Sequence, residues 1–83
     1  MRSKSLADVR YWEFDGLDGW RYQAVETVNG NLRLWYLMPG ETRWEIGHTK
    51  LINGRMGLGA AAELMRRYVL GELSYDEYNG WLP

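Results

Sequence analysis

The residues able to do chemistry are few and widely spaced. His48 is the only histidine and there is no cysteine, so neither a histidine cluster nor a thiolate zinc site can form, and a Ser/His pair would rest on His48 alone. No serine lies in the glycine-flanked turn that exposes a nucleophile, and His48 reads as a structural or surface residue. Asp15 and Asp18 share the turn Asp15-Gly16-Leu17-Asp18-Gly19, but that turn lacks the alternating oxygen ligands and closing glutamate of a calcium loop. The stretch Gly57-Leu58-Gly59-Ala60-Ala61-Ala62 matches the G-x-G-x-x-G/A dinucleotide pattern. The pattern requires a following parallel strand ending in an acidic residue, and the short helix and tail read after Gly71 supply neither. These glycines read instead as helix-entry residues packing near a sheet. No pair of carboxylates can be assigned to one cleft wall for acid–base hydrolysis, and 83 residues leave little room for a deep pocket. No catalytic residue, no metal site and no cofactor is expected.

The elements that must position any site are easier to read. Val9 to Phe14 is rich in strand formers and ends at the Asp15–Gly19 turn. Its inward face stays open, because Tyr11 and the Trp12/Phe14 pair are all large and lie on opposite sides, and so does its place in the sheet. Trp20 to Thr27 and Asn31 to Met38 are two more strand-like runs flanking Val28-Asn29-Gly30, a hairpin signal. A two-residue turn at Asn29-Gly30 would mix apolar and charged residues on both faces. A three-residue loop with Gly30 left-handed instead aligns Trp20, Tyr22 and Ala24 with Leu32, Leu34, Tyr36 and Met38, and the buried pattern favours it. After a turn at Pro39-Gly40-Glu41, strict alternation carries the inward set on through Trp44 and Ile46 to His48. The opposite face then reads Arg21, Gln23, Val25, Thr27, Arg33, Trp35, Leu37, Arg43, Glu45 and Thr49.

Leu58, Ala61, Ala62, Met65 and Val69 fall on one helical stripe, widened by Leu64 and Tyr68, with Glu63, Arg66 and Arg67 opposite. Gly71 suits the helix's C-terminal cap, and Ser74-Tyr75-Asp76-Glu77 fits a capping box opening a short second helix that Gly80 ends. The expected fold is α+β: an antiparallel three- to four-stranded sheet (about 9–52) covered on one face by a helix (about 57–71), with a short terminal helix (about 75–79). Without repeats or linkers, residues 1–83 read as one domain. Five Trp, six Tyr and one Phe lead us to expect a core dominated by rings. The absence of cysteine, of a signal-peptide pattern and of a long apolar run leads to the expectation of a cytoplasmic protein that does not span a membrane.

Two candidate binding surfaces follow from the alternation. On the outward face, Trp35, Leu37 and Val25 form an apolar centre ringed by Arg21, Arg33 and Arg43, the anatomy of a protein-binding hot spot. Tyr75, Tyr78 and Trp81 form a second. Arginines interleaved with aromatics also suit nucleic acid, and the order of strands and helix over Trp20 to Tyr68 resembles the integrase arm-binding and AP2-type domains, which implies a sheet in the DNA major groove. A net charge near −1 lacks their basic balance. Residues 67–78, with Arg67-Tyr68, Gly71-Glu72-Leu73 and Asp76-Glu77-Tyr78, resemble the SHOCT family's C-terminal module, which implies oligomerisation. As a whole the chain is similar to the small orphan proteins of actinobacterial phages: short, Trp-rich, cysteine-free and without enzyme motifs. That resemblance implies a non-catalytic module that binds and inhibits or redirects a host protein. The expected partner is a host protein or a second copy of the chain, with nucleic acid as the alternative.

Overall fold

The computed structural model describes residues 9–80. Four strands, β1 (Tyr11–Asp15), β2 (Arg21–Glu26), β3 (Leu32–Leu37) and β4 (Glu45–Lys50), are followed by the helices α1 (Leu58–Val69) and α2 (Tyr75–Gly80). The strands form one antiparallel meander in the order β1-β2-β3-β4, so the first strand takes the edge beside β2. The turn between β1 and β2 is a single 3-10 turn, Leu17–Gly19, with Asp18 and Gly19 both at positive φ.

The β2–β3 hairpin has the three-residue loop that burial favoured. Glu26 pairs with Leu32, Thr27 N–H donates to the Asn31 carbonyl at 2.9 Å, and Gly30 sits at φ 77°, where a side chain would be strained. Tyr22 therefore faces Tyr36 and Ala24 faces Leu34. Trp12 and Phe14 pair with Ala24 and Tyr22, which puts them, and not Tyr11, on the helix side.

The alternation breaks in β4. Leu32 pairs with Lys50 and Arg33 with Thr49, whereas Trp35 pairs with Ile46 and Tyr36 with Glu45. Gly47 and His48 together thus oppose the single residue Leu34, a β-bulge that flips every side chain preceding it. Ile46 and Trp44, expected beneath the helix, belong to the outer face, and Glu45 moves to the helix side. Gly47 suits the bulge, since a Cβ there would come within 3.3 Å of the Leu34 carbonyl oxygen.

α1 lies across β1, β2 and β3. Leu58, Ala61, Ala62 and Met65 project from it onto Ala24, Leu32 and Leu34, and Ile52 and Tyr78 complete the buried core. Truncating the fully buried Met65 would cost about 2–5 kcal/mol. The core is mainly aliphatic, not ring-dominated as the composition suggested. The alanines let α1 sit close to the sheet, and most of the rings pack around it as a half-buried border. Phe14, Tyr22, Trp20 and Tyr36 form one such ladder, with centroids 5.2 to 6.3 Å apart. The glycines at the entry to α1 are not held there by close packing: Gly57 faces open space, and a Cβ on Gly59 would meet Trp12 at an ordinary 3.8 Å.

Gly71, at φ 80°, ends α1 with the paired hydrogen bonds of a left-handed cap, from Gly71 N–H to the Tyr68 carbonyl and from Glu72 N–H to that of Arg67. The capping box of α2 forms reciprocally: Glu77 N–H donates to Ser74 Oγ at 3.1 Å, and Ser74 N–H to Glu77 Oε1 at 3.0 Å. Residues 67–78, where a SHOCT-like module was expected, fold back onto their own sheet through Tyr78, which meets Tyr68, His48 and Lys50. Among the described residues no helix is long and apolar enough to cross a membrane.

Candidate functional site

The described chain measures 35 × 35 × 16 Å, a slab of one sheet and one helical layer. Both helices cover the same face of the sheet, and among the described residues no element lies over the other. Cross-strand rows define that outer face: Tyr11, Val25, Arg33 and Thr49; then Glu13, Gln23, Trp35 and Ile46; then Asp15, Arg21 and Leu37. Trp44 adjoins the last row, its ring 5.9 Å beneath the Arg21 guanidinium. The face is thus divided. In the last two rows β3 and β4 carry Trp35, Leu37, Trp44 and Ile46 and β1 and β2 carry charged and amide side chains, whereas in the hairpin-end row the order reverses, with Tyr11 and Val25 on β1 and β2 and Arg33 and Thr49 on β3 and β4.

The charges on this face largely satisfy one another. Arg21 bonds Glu13 at 2.5 Å and lies 4.0 Å from Asp15, while Gln23 donates to the other Glu13 oxygen at 2.8 Å. Hydrogen bonds from Gln23 and then Arg21 hold the Glu13 carboxyl below its ordinary value. Arg33 differs, because its Nε meets only the Thr49 hydroxyl, at 3.2 Å. Ile46 is 51% and Tyr11 43% exposed, whereas Trp35, Leu37, Val25 and Trp44 are half-buried by their neighbours.

At the hairpin end the outer face is hollowed into a groove of about 580 Å³, walled by Val9, Val25, Val28, Trp35 and Leu51 and bordered by Arg33, Thr49 and Glu26. Glu26 is engaged by Arg10, at 3.0 Å. Asn31 supports the groove from beneath. Buried in the hairpin, it accepts from the backbone N–H of Ile52 at 2.7 Å and of Asn53 at 3.0 Å, which fixes the chain leaving β4.

Of the residues singled out by alternation, Trp35, Leu37, Val25, Arg33 and Arg21 do share one face. Arg43 does not, since it lies in the loop before β4 and pairs with Glu45, on the helix side, at 3.6 Å. Ile46 and Trp44 were missed, although a glycine inside a strand-like run, Gly47, is a bulge signal.

The second candidate surface does not survive as a unit. Tyr78 is 3% exposed, whereas Tyr75 is open at 68%, and Trp81 lies outside the described residues. Tyr78 stacks on Tyr68, centroids 4.2 Å apart, and its hydroxyl shares a 2.8 Å hydrogen bond with His48 Nε2. Lys50 Nζ donates to the Tyr78 carbonyl at 3.0 Å and lies 4.6 Å from its ring centre. Burial lowers the pKa of His48, with the charge of Lys50 adding to it, and raises that of Tyr78. This cluster fastens α2 to β4. Among the described residues no three His, Cys, Asp or Glu side chains stand together as a metal site would need.

A family model described as Mycobacterium phage L5 gene 74 protein matches residues 10–83. The chain belongs to that family. It is a small phage protein, and the match spans the whole sheet and both helices, so the outer face and the His48–Tyr78 cluster both fall within the family's domain. No curated protein and no solved structure matches the chain.

Proposed function

We propose that the chain is a non-catalytic phage accessory protein that binds a host protein through its outer sheet face and inhibits or redirects it. One observation carries this reading: the β3–β4 half of that face presents Trp35, Leu37, Trp44 and Ile46 together, bordered by charged residues, with no described element over them. Aromatic and aliphatic side chains held rigidly on a sheet, with a polar border, are the arrangement from which partner proteins gain most of their binding energy.

Sheet-mediated DNA binding has less support. Arg21 is neutralised by Glu13 and Asp15, Arg43 is directed elsewhere, and Arg33 alone would meet a phosphate backbone whose attraction grows with the number of contacts.

The test is affinity capture from mycobacterial lysate with and without nuclease, using the full chain and a Trp35→Ser/Leu37→Ser variant. Both positions are on the outer face, so the variant should keep its circular-dichroism spectrum and melting cooperativity. A specific protein retained by the parent through nuclease treatment and lost by the variant supports the reading. Equal retention by both, or loss on nuclease treatment, refutes it.

A further inference from the structure

The apolar residues of the outer face form a band that crosses it obliquely, from Leu37 and Trp44 through Trp35 and Ile46 to Val25 and Tyr11 at the hairpin end, and the band constrains what can lie on it. In each row it is two strands wide, about 10 Å at the usual strand spacing, which matches the 10–12 Å diameter of one α-helix. The groove of about 580 Å³ at its hairpin end has room for several side chains projecting from one helical stripe. The inner face of this same sheet already receives a helix in that way, through Leu58, Ala61, Ala62 and Met65 at the spacing of one stripe.

Other occupants fit less well. A second copy laid face to face would set Glu13 against Glu13, or Trp35 and Ile46 against Glu13 and Gln23. A strand added at an edge would pair with β1 or β4 and leave Trp35 and Val25, on the two central strands, uncovered.

Charge sets the last requirement. Of the two ionic groups bordering the groove, Glu26 is held by Arg10, and Arg33 has a hydroxyl partner but no carboxylate among the described residues. An incoming chain therefore meets a net positive border. Building on the reading of this face as a protein-binding surface, we propose that it takes a single amphipathic helix of the partner, with an acidic residue beside the apolar stripe to meet Arg33. The sheet would then carry a helix on each face, a three-layer arrangement that buries both sides.

The experiment titrates the full chain with three synthetic peptides, followed by amide chemical shifts and tryptophan fluorescence. Two are helix-forming, about 14 residues or four turns long, with one leucine stripe flanked by glutamates in the first and by lysines in the second. The third is an extended peptide of alternating valine and glutamate. The glutamate helix is expected to bind, shifting Arg33, Trp35, Ile46 and Thr49, and to bind roughly three- to tenfold more tightly than the lysine helix, as suits one bordering charge. Arg33→Ala should abolish that preference, and Trp35→Ser should abolish binding.

Equal or tighter binding of the lysine helix, preference for the extended peptide, shifts confined to another surface, or no binding by any peptide would each overturn the helix assignment. So would sedimentation showing dimers that Trp35→Ser dissolves, or contacts placing residues 1–8 on Trp35. Lysate capture that still depends on Trp35 and Leu37 alongside a failed titration would leave the protein-binding reading standing with a different kind of partner.

Discussion

Asn31→Ala should be among the most destabilising polar substitutions in this protein. The side-chain oxygen of Asn31, Oδ1, accepts two backbone N–H groups, those of Ile52 and Asn53, at 2.7 and 3.0 Å. Asn31 is 6% exposed and Ile52 fully buried. Removing the acceptor strands both donors, and a buried donor without a partner costs about 1–3 kcal/mol. Because Asn53 is exposed, water can recover its share, which brings the expected loss to about 2–4 kcal/mol. At about 6 °C per kcal/mol for a domain of this size, the melting temperature should fall by about 12–24 °C. Urea denaturation measures the free energy, and hydrogen exchange reads the two amides separately: Ile52 should lose protection more than Asn53. A loss below about 1 kcal/mol with both amides still protected would refute the argument. It would mean that packing of Ile52, and not the Asn31 oxygen, holds the chain between β4 and α1.

Three further outcomes are expected. Burial, and then Lys50, keep His48 below its ordinary pKa, so the unfolded chain takes up the proton first; stability should be complete above about pH 6.5 and fall on acidification toward the lower folded value, by at most about 1.4 kcal/mol per pH unit. His48→Gln should flatten urea midpoints over that window, leaving the loss at lower pH that comes from carboxyls with lowered values such as Glu13; a parent protein that gains stability on acidification to pH 5.5 would contradict this. Gly30→Ala forces a side chain to φ 77° with no neighbour within 4 Å, so it should cost about 1–2 kcal/mol through backbone strain alone. Calorimetry checks this, and an unchanged melting temperature would mean the hairpin had moved to another turn. Ser74→Ala should cost about 1 kcal/mol and let the Glu77 carboxyl, now held low by its Ser74 hydrogen bonds, rise toward its ordinary value in a carbon-detected titration; an unmoved carboxyl would show the capping box to be unformed in solution.

What the sequence determined by itself was whatever depends on near neighbours along the chain. The Val28-Asn29-Gly30 loop, the Gly71 cap and the Ser74/Glu77 box follow from local backbone preferences and side-chain-to-backbone hydrogen bonds, and the helix stripe follows from a period that α1 keeps throughout. The β2–β3 register was legible as well, because only one loop length puts all the apolar residues on one side. Tertiary structure decided the rest. Strict alternation could not foresee the bulge opposite Leu34, whose extra residue is accommodated by contact with β3, so Ile46 and Trp44 were assigned to the wrong face and the apolar half of the outer surface was underestimated. Tyr78 looked like a surface residue because its cover, Tyr68, and its hydrogen-bond partner, His48, come from distant segments. Asn31 stood only as the first residue of the third strand-like run, because the two amides it satisfies lie more than twenty residues away. A sequence displays the period of each element; which side of a strand meets water depends on how many residues its neighbour sets against it.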